Sequence, residues 1–194
     1  GWNNTNTDFV MYRNTNSKDD YTYHYTGRLA ANTYYKFIPE EALGTYKAYC
    51  IKDDVNLVYE ESGGGAFFNA EERYVSISID IKALTYSIID FDVTNVKTFN
   101  TIGPIGGFVN WDNEPPMTKS SYDEHQWSGI FDIGVSTALK FRANKDWGNN
   151  WGGNADEHPY GKAVFDGPGA DISVPGKYKI NFNDLTGHYI IVQQ

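Results

Sequence analysis

The sequence predicts an all-β protein built as two tandem antiparallel β-sandwich domains of the immunoglobulin-like kind. Three observations carry this. Apolar residues recur at every second position in several runs, which is the period of a half-buried strand. No stretch shows the three-and-four spacing of a long amphipathic helix. The second half repeats the first in outline, at an offset of about 100 residues.

Each element follows from its own residues. Tyr21, Tyr23 and Tyr25 share one face of a strand running to Leu29. Tyr34 to Ile38 is a second β-type run, and Pro39 to Leu43 is the one place where a short helical turn is expected. Val75, Ile77, Ile79 and Ile81 alternate with Ser76, Ser78, Asp80 and Lys82. Tyr178, Ile180 and Phe182 alternate with Lys179, Asn181 and Asn183, and His188 to Val192 closes the chain.

The repeat is carried by short matches. Trp2-Asn3-Asn4 pairs with Trp111-Asp112-Asn113, and Met11 with Met117. Tyr25-Thr26-Gly27 pairs with Trp127-Ser128-Gly129, and Lys36-Phe37 with Lys140-Phe141. SISIDIKALTYSI closes one half and YKINFNDLTGHYII the other. Two diverged copies of one β module account for this, spanning 1–93 and 94–194. The first copy is expected to lack its opening strand, because Thr98 to Gly103 has no counterpart before Trp2.

Composition narrows the partners. With 194 residues the chain can bury sizeable cores, and its formal net charge is -9. Binding nucleic acid or an anionic membrane needs a basic face, so both are excluded as expectations. A neutral glycan is compatible with this charge. Cys50 is the single cysteine, so no internal disulfide can form, and it is expected to be a small buried hydrophobe. The four histidines show no zinc spacing, no calcium loop of Asp-x-Asp-x-Asp-Gly type occurs, and neither metal nor cofactor is expected. Gly63-Gly64-Gly65 lacks the following Lys-Ser/Thr of a phosphate cradle and reads as a flexible loop. No apolar run approaches the ~20 residues of a membrane-spanning helix.

One stretch carries more chemistry than the rest: KFRANKDWGNNWGG, from Lys140 to Gly153. A basic β-type run, Lys140 to Arg142, is expected to open into a loop holding Trp147 and Trp151 among Asn144, Asn149, Asn150 and glycines. Large rings usually enter a core, whereas Gly and Asn mark turns. Rings held on a turn suggest a platform, and flat rings flanked by hydrogen-bond donors suit a sugar. Lys140 and Arg142 are two apart and share a strand face. Asn150 and Asp171 are further polar candidates.

These features resemble the C-terminal modules of the SusE and SusF family, outer-membrane starch-binding lipoproteins of Bacteroidetes. The matching segments are the Gly-Trp-Asn opening, TGRLAANTYYKFIPEEALGTYKAYC, VNWDNEPPMTKS, KFRANKDWGNNWGG and the closing NFNDLTGHYIIV. The resemblance implies starch-binding modules that hold an α-glucan, as polysaccharide or oligosaccharide, without cleaving it. It implies a lipid anchor upstream of this chain, exposure at the cell surface, and proximity to an outer-membrane transporter complex. It also assigns roles: Trp111 and Trp151 as the platform, Trp147 as competitor for the second ring, and Lys140 or Arg142 as donor to the sugar hydroxyls. In the first half it implies Trp2 and Lys36, with Tyr46 or Tyr49 as second ring. Asp171 stands where the family often has Asn.

Two other classes are weighed against a binder. A glycoside hydrolase needs two carboxyls flanking one bond. The acids are there, as Glu40, Glu41, Glu71, Glu72, Asp123, Glu124, Asp156 and Glu157, but adjacent acidic pairs are usually solvated. No nucleophile elbow or catalytic triad emerges, so no enzyme is expected. A spacer or protein-docking module would turn its aromatics inward and leave its loops without a platform.

Overall fold

The computed structural model describes residues 3–154 and 158–194, and is β throughout apart from two 3-10 turns. The chain divides into two compact units, Gly1–Met11 with Tyr21–Val93, and Tyr12–Asp20 with Thr94–Gln194. Beside the expected division at 93/94, the segment Tyr12–Asp20 therefore lies with the second unit.

In the first unit, β1 (Thr22–Leu29) pairs antiparallel with β6 (Arg73–Asp80), which pairs with β7 (Thr85–Asp90). Two short pairs accompany this sheet: β2 (Thr33–Tyr35) with β5 (Phe67–Asn69), and β3 (Ala48–Ile51) with β4 (Leu57–Glu60). The alternation seen in the sequence decides which faces meet. Tyr25, Val75, Ile77 and Ile79 point inward and join Phe37, Leu57 and Phe67 in one core. Rings dominate it, with Tyr35 stacked on Phe67 at 5.2 Å and Phe67 edge-on to Tyr86 at 4.8 Å. The turn expected at Pro39 to Leu43 is a 3-10 helix over Glu40–Ala42.

The second unit is a sandwich of two larger sheets. One contains β9 (Thr118–Lys119), β10 (Gln126–Ile133), β16 (Gly176–Asn183), β17 (His188–Gln193) and β13 (Tyr160–Lys162). The other contains β15 (Ala170–Ile172), β11 (Thr137–Ala143), β12 (Asp146–Gly152) and β14 (Val164–Phe165), with β8 (Ile102–Gly106) also paired to β11. Trp127, Ile180, Phe182 and Tyr189 of the first sheet face Leu139, Phe141 and Ile102 of the second. Phe141 and Phe182 stack at 4.1 Å and 9°, which fixes how the inner faces interlock. Aromatic pairs of this kind add about 0.5–1.5 kcal/mol beyond the area they bury.

The order β1-β6-β7 in the first unit matches β10-β16-β17 in the second. Tyr25-Thr26-Gly27 and Trp127-Ser128-Gly129 occupy the corresponding strands.

Candidate functional site

The Lys140–Gly153 segment is a hairpin rather than a strand opening into a loop. Ala143 pairs with Asp146, so Asn144 and Lys145 form the whole turn. Both have positive φ, 53° and 56°. That is the requirement of a type I′ turn, whose twist matches that of the flanking strands. Asn144 is also bolted from outside, because its Oδ1 accepts from the Asn100 and Thr101 amides at 3.0 and 3.1 Å.

Beyond the turn the register breaks. Ala143 faces Asp146 while Arg142 faces Asn150, so residues 147–149 bulge out of β12. The bulge is self-supported. Asp146 Oδ1 accepts from the Gly148 amide at 2.8 Å, its Oδ2 from Asn149 Nδ2 at 2.8 Å, and Asn150 Nδ2 donates to the Trp147 carbonyl at 2.8 Å. Three inserted residues invert the strand's parity. Trp147 and Trp151, four apart, would share a face on a regular strand; here they take opposite faces.

Trp151 goes inward. It packs against the core, edge-on to Phe99 at 5.3 Å and against Phe182 at 5.8 Å. Trp151, expected as the second platform ring, is thus partly buried against the core. Trp147 goes outward and meets Trp111, with ring centroids 6.3 Å apart and planes at 33°. The two indoles are 38% and 44% exposed, so each is partly covered and partly open.

Trp111 reaches this position through unusual backbone. A 3-10 turn, Gly107–Val109, ends in Asn110 and Trp111, both left-handed at φ 53° and 57°. The left-handed region is a rare state for a bulky side chain. The Trp111 amide donates to Gly106 O at 3.0 Å and the Asp112 amide to Val109 O at 3.1 Å, which hold the loop closed.

Lys140, Arg142 and Asn150 lie on the same outward face of β11 and β12 as the indole pair. Lys140 Nζ donates to Asn150 Oδ1 at 2.9 Å and lies 3.6 Å from Asp166 Oδ1. It also stands 6.0 Å from the Trp147 ring centre. Asn150 is buried and reaches Asp166 Oδ1 at 3.3 Å through Nδ2. Asp166 is largely exposed. The polar edge beside the indole pair is thus an ammonium and a carboxylate, Lys140 and Asp166, held by the buried Asn150 amide, whose Oδ1 and Nδ2 are both engaged.

Arg142 departs from expectation. It is only 4% exposed, forks onto Glu114 through Nε and Nη2, and donates from Nη2 to the Asp112 carbonyl. Its guanidinium lies 4.8 Å from the Trp147 ring centre. With those bonds made and that burial, the guanidinium expected as a hydroxyl donor faces Glu114, Asp112 and Trp147. Asp171 sits exposed on β15 opposite Ala138, one strand beyond Lys140.

Among the described residues, the first-unit candidates do not assemble a comparable cluster. Trp2 lies outside the described residues, as do Asp156 and Glu157 among the acids. Lys36 is half-buried at Cys50: burial pushes the Cys50 thiol up, while the charge and hydrogen bond of Lys36 oppose this. Tyr46 is 75% exposed between the 3-10 turn and β3, whereas Tyr49 packs against the core and Tyr59. An exposed pair that the sequence reading did not single out, Tyr34 with Phe68 at 4.7 Å, crosses β2 and β5. Glu114 and Asp166 were missed as well. Glu114 is an acid standing directly before Pro115-Pro116, and that isolation is the only signal it gave.

Among the described residues no group of acidic, histidine or cysteine side chains could hold a metal ion. No described helix is long and apolar enough to cross a membrane. No family model matches the sequence, and no curated protein matches it. Among solved structures the chain is similar to SusF from Bacteroides thetaiotaomicron, with 16% identity and a TM-score of 0.40. The match covers 95% of this chain and 44% of that one, so this chain spans less than half of its length. A likeness this distant carries no argument about function.

Proposed function

We propose that this protein is a non-catalytic carbohydrate-binding protein whose second unit holds a neutral polysaccharide of the starch or α-glucan type. The observation that carries the reading is the half-exposed Trp111–Trp147 pair beside Lys140 and Asp166, with buried Asn150 holding both in place. A sugar has apolar C–H faces and a rim of hydroxyls. Rings cover the former, and charged partners bond the latter about twice as strongly as neutral ones do. The tilt of 33° between the rings suits a curved chain better than a flat one. Because Lys140 already faces Asp166 and the chain carries a net charge of -9, uronate or sulfated polysaccharides are disfavoured.

Binding without cleavage is supported by where the nearby acids go. Glu114 is bonded to Arg142, Asp166 faces Lys140, and Asp146 accepts from its own turn. Glycoside hydrolysis needs two carboxyls working across one bond, one of them protonated. For the first unit the spacer reading is favoured, because Lys36 is engaged at Cys50. The sequence resemblance supports the rest: a surface position, an upstream lipid anchor and a Sus-like uptake complex with an outer-membrane transporter.

Affinity electrophoresis in gels containing soluble starch, dextran, inulin or xylan tests the reading. Retardation is expected in starch, with Trp111→Ala or Trp147→Ala weakening it at least about tenfold. Unretarded migration in every gel sinks the proposal. Shortening of a soluble oligosaccharide during incubation would instead favour an enzyme.

A further inference from the structure

We propose that Glu114 and Arg142 form a positioning clamp that sets the angle and spacing of the Trp111–Trp147 pair before any ligand arrives. Its purpose rests on the platform reading above; its geometry does not.

Three separate segments converge on this pair. Arg142 projects from β11 and donates to the Asp112 carbonyl, one residue after Trp111. The same guanidinium lies against the Trp147 ring, 4.8 Å from its centre. Glu114 accepts from Arg142 at Oε2, and at Oε1 from the Lys145 amide at 3.1 Å. Lys145 is the second turn residue of the hairpin, two positions before Trp147. The loop bearing one ring and the hairpin bearing the other are therefore fastened through a single ion pair.

The choice of chemistry argues for positioning over mere stability. A buried ion pair adds little net stability, and an apolar pair of similar volume often does as well or better. What the pair supplies is direction. The planar guanidinium offers donors in a fixed fork, and a carboxylate accepts them at set angles. Both side chains are almost wholly buried, so water does not compete for the bonds. Trp111 needs such support, since its left-handed backbone persists only where its surroundings over-determine it. Rings held in place in advance lose less freedom on binding, which raises affinity with no added ligand contact.

Two close indoles couple their ultraviolet transitions, giving a circular-dichroism couplet that depends steeply on their spacing and angle. The couplet of this pair is read as the difference between the wild-type chain and Trp111→Phe, with no ligand present. Glu114→Gln keeps the shape and removes the charge, Arg142→Met removes the fork, and Arg142→Lys keeps charge without the fork. Glu114→Gln and Arg142→Met are expected to lose most of the couplet while keeping the cooperative melt of the folded chain. Arg142→Lys should restore part of it. Retardation in a soluble-starch gel should weaken about tenfold in parallel. A couplet of wild-type size in folded Glu114→Gln or Arg142→Met overturns the clamp. Should Arg142→Met not fold, Glu114→Gln decides by the same readout. If the wild-type chain binds no starch, the carbohydrate reading fails and the ligand-free couplet alone decides on the clamp.

Discussion

Trp147 and Trp151 are the same residue type, four positions apart on one strand, in opposite surroundings. Trp151, partly buried, packs on the core beside Phe99 and Phe182, while Trp147 stands over Arg142 and beside Trp111. Trp151→Ala should therefore act on stability, removing about 3 kcal/mol in chemical denaturation. In gels run well below its melting point the folded variant should still be retarded by starch. Loss of retardation at unchanged stability would return Trp151 to the platform. The sequence made both indoles candidates and could not separate them, because counting positions assumes an unbroken register. The bulge at 147–149 breaks it, and its Gly and Asn residues were read as a loop. Arg142 was legible as a neighbour of the rings but not as a buried one. Its partner Glu114 lies 28 positions away, where no local pattern points to it.

Between elements, the start of β10 is tied to the β16–β17 turn by a buried His125–Asp184 contact, Nδ1 to Oδ1 at 2.6 Å. Trp127 Nε1 donates to the other Asp184 oxygen at 3.0 Å. Burial acts to lower the His125 pKa, but the bond and charge of Asp184, with Asp123 and Glu124, outweigh it and raise His125 above its ordinary value. For Asp184, burial raises the carboxyl while His125 and Trp127 oppose. Both shifts have the same sign, so the folded state holds its protons more tightly than the unfolded one. Stability from His125 is complete below the unfolded histidine pKa and is lost as pH rises through the raised folded value. The urea midpoint of the second unit should fall across that window, and His125→Asn should flatten the slope. A midpoint that rises over the same range would show the opposite linkage. The strands joined here were legible from their period of two. The tie was not, since Asp184 and His125 sit in connections, where nothing periodic marks them.

Over the whole chain, the all-β class and the strands Thr22–Leu29, Arg73–Asp80 and Gly176–Asn183 followed from alternation, because each buries one face. The role of Tyr12–Asp20 did not follow, because a segment without periodicity gives no clue to which unit it joins. Tyr12 is buried in the second unit, bonds Gln126 Oε1 at 3.2 Å and stacks on His188 at 5.9 Å. Asn14 meets His188 Nε2 at 2.8 Å, and Asn16 bonds Tyr160 through both its amide atoms. Tyr12→Ala should destabilise the second unit by about 3 kcal/mol in denaturation followed by tryptophan fluorescence. An unchanged transition would mean that this stretch contributes nothing to the unit it lies on.

Connectivity gives that stretch a practical meaning. The polymer passes from one unit to the other after Met11, returns after Asp20 and crosses finally after Val93. A gene fragment starting at Thr94 would therefore encode an incomplete body, lacking a stave that the other fragment carries away. One protease nick after Val93 would leave two lengths of peptide still laced, and no circular permutation separates them, because the four blocks alternate around the closed chain; residues 12–20 would have to be transposed to the other side of the cut.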